Sequence, residues 1–253
     1  MLAFIVVFGL VYIAGLGAIL LVLVYPVSKK ARLALSDLYI KTMVPMVFKA
    51  FNVYVHFRTL RYKDHKDKLP EHCMIIANHQ SLLDIILFMY FFPGKALRFV
   101  AKEELGKAPL IGQILRAQEH ALIPRSGQPA RTMKLLDAFS GRVIARGQIP
   151  VLFPEGHRSR DGSVGTFYAA GFRRLMKDHP LPVAVCALDG GYRIATLDGI
   201  FRNLRNGYYR IKILKIYPAP PSKEAQMHIL EEGKALIQAQ LDEWRANDGY
   251  CIR

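Results

Sequence analysis

A histidine and an aspartate stand five residues apart in Asn78-His79-Gln80-Ser81-Leu82-Leu83-Asp84. Such a pair can do general-base chemistry. A neutral imidazole titrates near neutral pH, and a carboxylate on its other nitrogen fixes the tautomer and steadies the imidazolium. Geometry sets a condition: on one straight helix, five residues would turn the two side chains about 140° apart. The pair meets only if His79 precedes a helix and Asp84 lies in its first turn. The same residues also fit a capping box, with Ser81 as N-cap and Asp84 at N3. Two readings share this stretch.

A second polar cluster is Phe153-Pro154-Glu155-Gly156-His157-Arg158-Ser159. Glu155 and Arg158 bracket a glycine, which lets backbone approach closely. The Arg158 guanidinium offers a rigid fork of donors suited to a planar or tetrahedral oxyanion. Taken alone, the segment reads equally well as a surface turn carrying a Glu/Arg pair. Arg125, at the end of Ile123-Pro124-Arg125, is a third candidate.

The elements that must position these residues follow from hydrophobic periodicity. Residues 73–77 form a short apolar run with isoleucines, which reads as a buried strand; residues 82–92 read as a helix ended by Pro93-Gly94. His79 then sits in a strand-to-helix turn. Further strands are expected at 97–101, 121–123, 150–153, 182–188 and 208–217. Helices are expected from Lys102-Glu103-Glu104 onward and at 129–146, 169–177 and 222–246. Val53, Val55 and Phe57 alternate with Tyr54, His56 and Arg58, which is strand periodicity. Alternating strands and helices predict an α/β domain with a mostly parallel sheet flanked by helices. Sites in such sheets gather beyond the carboxyl ends of the strands, so all three candidates would face one crevice.

Residues 1–27 carry no charged side chain. About 20 apolar residues suffice to cross a bilayer core. A signal peptide competes, but the run lacks a basic start and exceeds the usual apolar length of about 7–15 residues. The run is therefore read as a retained anchor. Residues 36–51, with Pro45 inside, look like a kinked amphipathic helix, either lying on the membrane or packed against the first helix. This divides the chain into membrane-anchoring helices at 1–52 and an α/β domain at 53–253. Lys29, Lys30 and Arg32 follow the apolar run, which places the rest of the chain on the cytoplasmic side.

The formal net charge of +15 suits nucleic acid, an anionic membrane or anionic substrates. The apolar N-terminus beside a basic cluster favours the membrane, and no nucleic-acid motif is recognisable. The 3 cysteines are far apart and odd in number, which suggests neither a disulfide framework nor a zinc site. Without a metal-ligand cluster or a Gly-rich phosphate loop, neither a metal nor a bound cofactor is expected.

Four motifs in order now carry a resemblance. His79-x4-Asp84 is followed by Lys102-Glu103-Glu104-Leu105 with Pro109, Ile111 and Gly112. Ile123-Pro124-Arg125 and Phe153-Pro154-Glu155-Gly156-x-Arg158 come after. The set resembles the glycerolipid acyltransferase family, whose type member is lysophosphatidate acyltransferase, over roughly residues 73–190. The N-terminal pair of helices also resembles that family's membrane-docking helices. The resemblance implies a membrane-bound O-acyltransferase with acyl-CoA or acyl carrier protein as co-substrate. The expected acceptor is lysophosphatidate, giving phosphatidate for phospholipid synthesis, with glycerol 3-phosphate or another lysophospholipid as the alternative. It also implies His79 as base and Asp84 as its orienting partner. Arg158 and Arg125 would hold the acceptor's phosphate, and Glu155 and Gly156 would lie on the acceptor side, with Glu155 orienting the acceptor or supporting the backbone. The substrate's own hydroxyl would be the nucleophile, which agrees with the absence of a G-x-S-x-G elbow.

This sequence departs from the family pattern at His157, where Thr is usual, and at Phe167-Tyr168-Ala169-Ala170, where Phe-Lys-x-Gly is usual. Pro182 also lacks the second proline of the family's late strand. These changes fall in acceptor-side segments and bear on the identity of the lysolipid. A rival from another class is a non-catalytic basic membrane-surface protein, for which His79 would be dispensable.

Overall fold

The computed structural model of the chain describes residues 28–62, 69–108, 111–124, 127–205 and 207–247, together with positions 9, 12, 15–17, 19, 20, 23 and 24. Among the described residues there are seven strands: β1 (Arg58–Tyr62), β2 (Met74–Ala77), β3 (Leu97–Lys102), β4 (Ala121–Ile123), β5 (Ile149–Leu152), β6 (Val183–Asp189) and β7 (Tyr208–Tyr217). They make one sheet in the order β1-β7-β6-β2-β5-β3-β4. Neighbours are parallel except β6 and β7.

The site's position follows from β2. Its residues pair with β5 on one side (Ile76 opposite Leu152) and β6 on the other (Ile76 opposite Val185). Flanked by strands and covered on both faces, all its residues are buried, which is why it reads as a continuous apolar run. Alternate side chains point to opposite faces. Ile75 and Ala77 join a core under α1 (Lys29–Val55), α2 (Leu83–Phe91) and α6 (Leu197–Asn203). Met74 and Ile76 join the core under α4 (Pro129–Ala145), α5 (Ala169–Leu175) and α7 (Lys223–Asn247). A short α3 (Ile111–Ala117) packs near α1. The carboxyl ends of β2, β5 and β6 thereby lie side by side.

The structure alters three expectations. Residues 53–55 are the last turn of α1, and the strand begins only at Arg58. His56 between them takes φ +57°, the left-handed conformation that ends a helix. Five residues are too few to separate a period of 2 from one of 3.6. Secondly, α1 starts at Lys29 and presents apolar side chains on more than one side. Met43 and Phe48 are buried, while Leu38, Met46 and Val53 are exposed. Thirdly, the helix expected from Lys102 onward is only a 3-10 turn at Glu103–Lys107 followed by the short α3, and the short α6 carries too little periodicity to be read. Among the described residues no helix is long and apolar enough to cross a membrane. The anchor expected at 1–27 lies largely outside the described residues. The described positions before residue 28 are helical, with Tyr12, Ile19, Leu20 and Leu23 exposed.

Candidate active site

Where β2 ends, its next residue keeps it tied to β6. The Asn78 side chain donates to the Leu188 carbonyl and accepts from the Leu188 N–H, both at 2.8 Å. Gln80 Oε1 accepts from the Gly191 N–H at 3.0 Å. The turn carrying His79 is thus fixed on both sides before any catalytic contact is made.

Asp84 lies in the first turn of α2, as the geometric condition requires. Its Oδ2 stands 2.6 Å from His79 Nδ1 and also accepts the N–H groups of Gln80 (2.7 Å) and Ser81 (3.0 Å). An oxygen that already accepts two backbone N–H groups is an accepting carboxylate oxygen, so the imidazole nitrogen beside it, Nδ1, carries the proton. His79 Nε2, with no partner among the described residues, is left to take a proton. The ring stacks on Phe153 at 4.3 Å and 10°. Half of the capping box forms as well: Asp84 reaches the Ser81 N–H, while Ser81 Oγ accepts from the Leu83 N–H at 3.2 Å and the Asp84 N–H goes to the Ser81 carbonyl. One carboxylate serves both readings.

Glu155, beyond β5, is buried with both oxygens engaged by backbone. Oε1 accepts from the His79 N–H and Oε2 from the Gly165 N–H, each at 2.9 Å. Burial pushes its carboxyl above the usual glutamate range, and the two N–H bonds offset that only in part. The Ser159 N–H donates to the His79 carbonyl at 2.7 Å. The 155–159 segment therefore grips the His79 residue through both backbone groups. Gly156 makes this turn possible with φ +68°, and its N–H returns to the Phe153 carbonyl.

These residues border a cavity of about 290 Å³ lined by His79, Lys102, Phe153, Gly156, Arg158 and Tyr168, among others. Arg158 is exposed there and makes no hydrogen bond or ion pair among the described residues. His157 lines the same space, whereas Glu155 lies beneath it. A second, apolar cavity of about 210 Å³ opens between α1 and α2, and Leu82, Ile85 and Leu105 line both. Arg125 lies outside the described residues. Among the described residues, no group of three or more His, Cys, Asp or Glu could hold a metal ion.

One residue of the site had no signal in the sequence. Tyr209 of β7, fully buried, donates its hydroxyl to Asp84 Oδ1. Only the sheet order, which sets β7 two strands from β2, brings it there.

The model of the Acyltransferase family matches residues 61–189, just over half of the chain. A 1-acyl-sn-glycerol-3-phosphate acyltransferase of Limnanthes alba is 30% identical over 172 residues, 68% of this chain and 57% of that protein. One of Limnanthes douglasii is 35% identical over 128 residues, 50% of this chain and 44% of its own length. The chain thus spans about half the length of the curated relatives it matches. The fold is that of the PlsC 1-acyl-sn-glycerophosphate (LPA) acyltransferase of Thermotoga maritima, with a TM-score of 0.62 at 20% identity, covering 93% of this chain and 96% of that one. A chain matched by the family's model over more than half its length, with the His79–Asp84 pair inside the match, belongs to the Acyltransferase family.

Proposed function

We propose that the protein is an O-acyltransferase that moves a fatty acyl group from a thioester to the hydroxyl of lysophosphatidate. The observation that carries this reading is the His79–Asp84 pair, with Nδ1 committed to the carboxylate, at a cavity that also holds Arg158, an arginine without a partner among the described residues. The acceptor's O–H proton passes to Nε2 as its oxygen bonds to the thioester carbon. The C–S bond then breaks, and the departing thiolate takes the proton back from the imidazolium. No protein side chain need be acylated. Arg158 suits the acceptor's phosphate, and Arg125 belongs to the same role. The apolar cavity between α1 and α2 suits an acyl chain, since it opens onto the polar one through Leu82, Ile85 and Leu105. Acyl-CoA or acyl carrier protein is the donor. Membrane attachment through residues 1–27, with the α/β domain on the cytoplasmic side, completes the reading; the exposed Tyr12, Ile19, Leu20 and Leu23 support it.

The test uses purified protein in detergent with labelled acyl-CoA and lysophosphatidate. Phosphatidate should form, and His79→Ala should lower turnover by roughly 10²–10⁴-fold, the share a general base supplies. Unchanged turnover in His79→Ala would overturn the reading. Glycerol 3-phosphate and other lysophospholipids, run in the same assay, identify the preferred acceptor.

A further inference from the structure

We infer that Tyr209 is a positioning residue for the proposed base, a third member of a His79–Asp84–Tyr209 chain; this rests on the function proposed above. Asp84 Oδ2 already receives His79 Nδ1 and two backbone N–H groups. The Tyr209 hydroxyl takes the other oxygen, Oδ1. A carboxylate held at one oxygen can still rotate about its terminal torsion, which has no sharp minima. A donor on the second oxygen fixes the plane, and with it the direction in which Oδ2 meets the imidazole.

The surroundings are built to hold that hydroxyl. Tyr209 is fully buried and pairs with Thr59 in β1. Gly191 passes so close that a Cβ there would stand 2.5 Å from Tyr209 Oη. The Gly191 N–H in turn holds Gln80, the residue after His79. An ordinary core tyrosine needs only some partner for its hydroxyl; this one meets the carboxylate oxygen that neither the helix cap nor the histidine uses. Tyr209 lies outside the stretch 61–189 matched by the family's model, so the match does not assign it.

Tyr209→Phe removes the hydroxyl and keeps the ring. Its kcat should fall between about tenfold and a hundredfold, the range that a hydrogen bond to a charged group spans. KM for lysophosphatidate should stay unchanged. With one donor fewer, the carboxylate holds the imidazolium more strongly, so the acid limb of the kcat/KM profile should move to higher pH. In an Asp84→Asn background, adding Tyr209→Phe should cost nothing more. Tyr208→Phe, whose hydroxyl serves Asp189 instead, should behave as wild type. A wild-type rate and pH profile in Tyr209→Phe overturns the inference, and so does an equal further loss in the Asp84→Asn background. Should Tyr209→Phe not fold, 3-fluorotyrosine at 209 keeps the ring and strengthens the donor. The acid limb should then move to lower pH, and an unmoved limb overturns the inference. His79→Ala run alongside separates the two failures. Full activity there sinks the proposed base itself, whereas an inactive His79→Ala beside a wild-type Tyr209→Phe sinks only the role of Tyr209.

Discussion

The backbone N–H of His79 donates to Oε1 of Glu155 at 2.9 Å, so the second polar segment holds the first by its main chain and leaves the imidazole ring to Asp84. Because Oε2 accepts from Gly165 as well, Glu155 spans from the turn after β2 to the loop after β5. Its place beneath the cavity favours support of the backbone over contact with the acceptor.

Glu155→Gln therefore sets an amide NH2 against one of two backbone N–H groups. A buried donor left without an acceptor costs about 1–3 kcal/mol. We expect a lower melting temperature and a fall in kcat with the acceptor KM little changed, since the displaced group is the His79 backbone. Thermal melts and initial rates measure both. A raised KM with an intact kcat would show instead that Glu155 touches the acceptor.

How much of this could be read beforehand depends on how far apart the partners lie. The His79–Asp84 pair was legible because five residues across a helix start permit only one way for the side chains to meet. Strand and helix positions around it followed from periodicity wherever a run was long enough. Residues 53–57 were not, and the α-helical period prevailed there because α1 continues to Val55. The role of Glu155 depends on β5 lying next to β2, which no local pattern reveals. Tyr209 depends on an antiparallel β7 reached through the short α6, a segment with no strong pattern of its own. Side-chain hydrogen bonds over such separations are consequences of sheet order, which is settled by the whole core.

Arg158 stands exposed at the cavity without a partner among the described residues, so its fork of donors is open to an arriving anion. Arg158→Ala should raise KM for phosphate-bearing acceptors by about 10–100-fold, the worth of a charged hydrogen bond. Neutral acceptors should be affected far less, and Arg158→Lys should restore part of the loss. Equal losses on both acceptor types would remove the phosphate from the assignment.

Cys73, immediately before β2, and Cys186, in β6, are fully buried. Burial pushes the Cys73 thiol up to about 11, against a smaller opposite pull from Lys95. Only the thiolate alkylates at a useful rate. Iodoacetamide at pH 8 should leave the Cys73 peptide unmodified in the folded protein and modify it fully after denaturation, as read by mass spectrometry. Rapid modification of the native protein would mean that β2 opens readily, which is at odds with its place between two strands.

The loop that follows the second grip on His79 carries a carboxylate whose pH dependence has a predictable sign. Ser163 donates to Asp161 Oδ1 through its hydroxyl (2.6 Å) and its N–H (2.9 Å), and Ser159 Oγ adds a third bond at 3.0 Å. These bonds hold the Asp161 carboxyl down at about 2, with the Ser163 hydroxyl contributing most. A carboxyl whose folded value lies below the ordinary one, about 3.9, stabilises the fold fully above that ordinary value. The contribution is lost as pH falls through about 2. Wild type should therefore melt above Asp161→Asn by a constant margin at neutral and mildly acidic pH, and the margin should close between about pH 4 and pH 2. Ser159 also donates its N–H to the His79 carbonyl, so loosening of this loop should reach the imidazole before the core melts. Activity recovered after brief exposure to pH 3 should accordingly be lower for Asp161→Asn than for wild type. A margin independent of pH would mean that Asp161 stabilises the loop by packing and shape, with its charge playing no part.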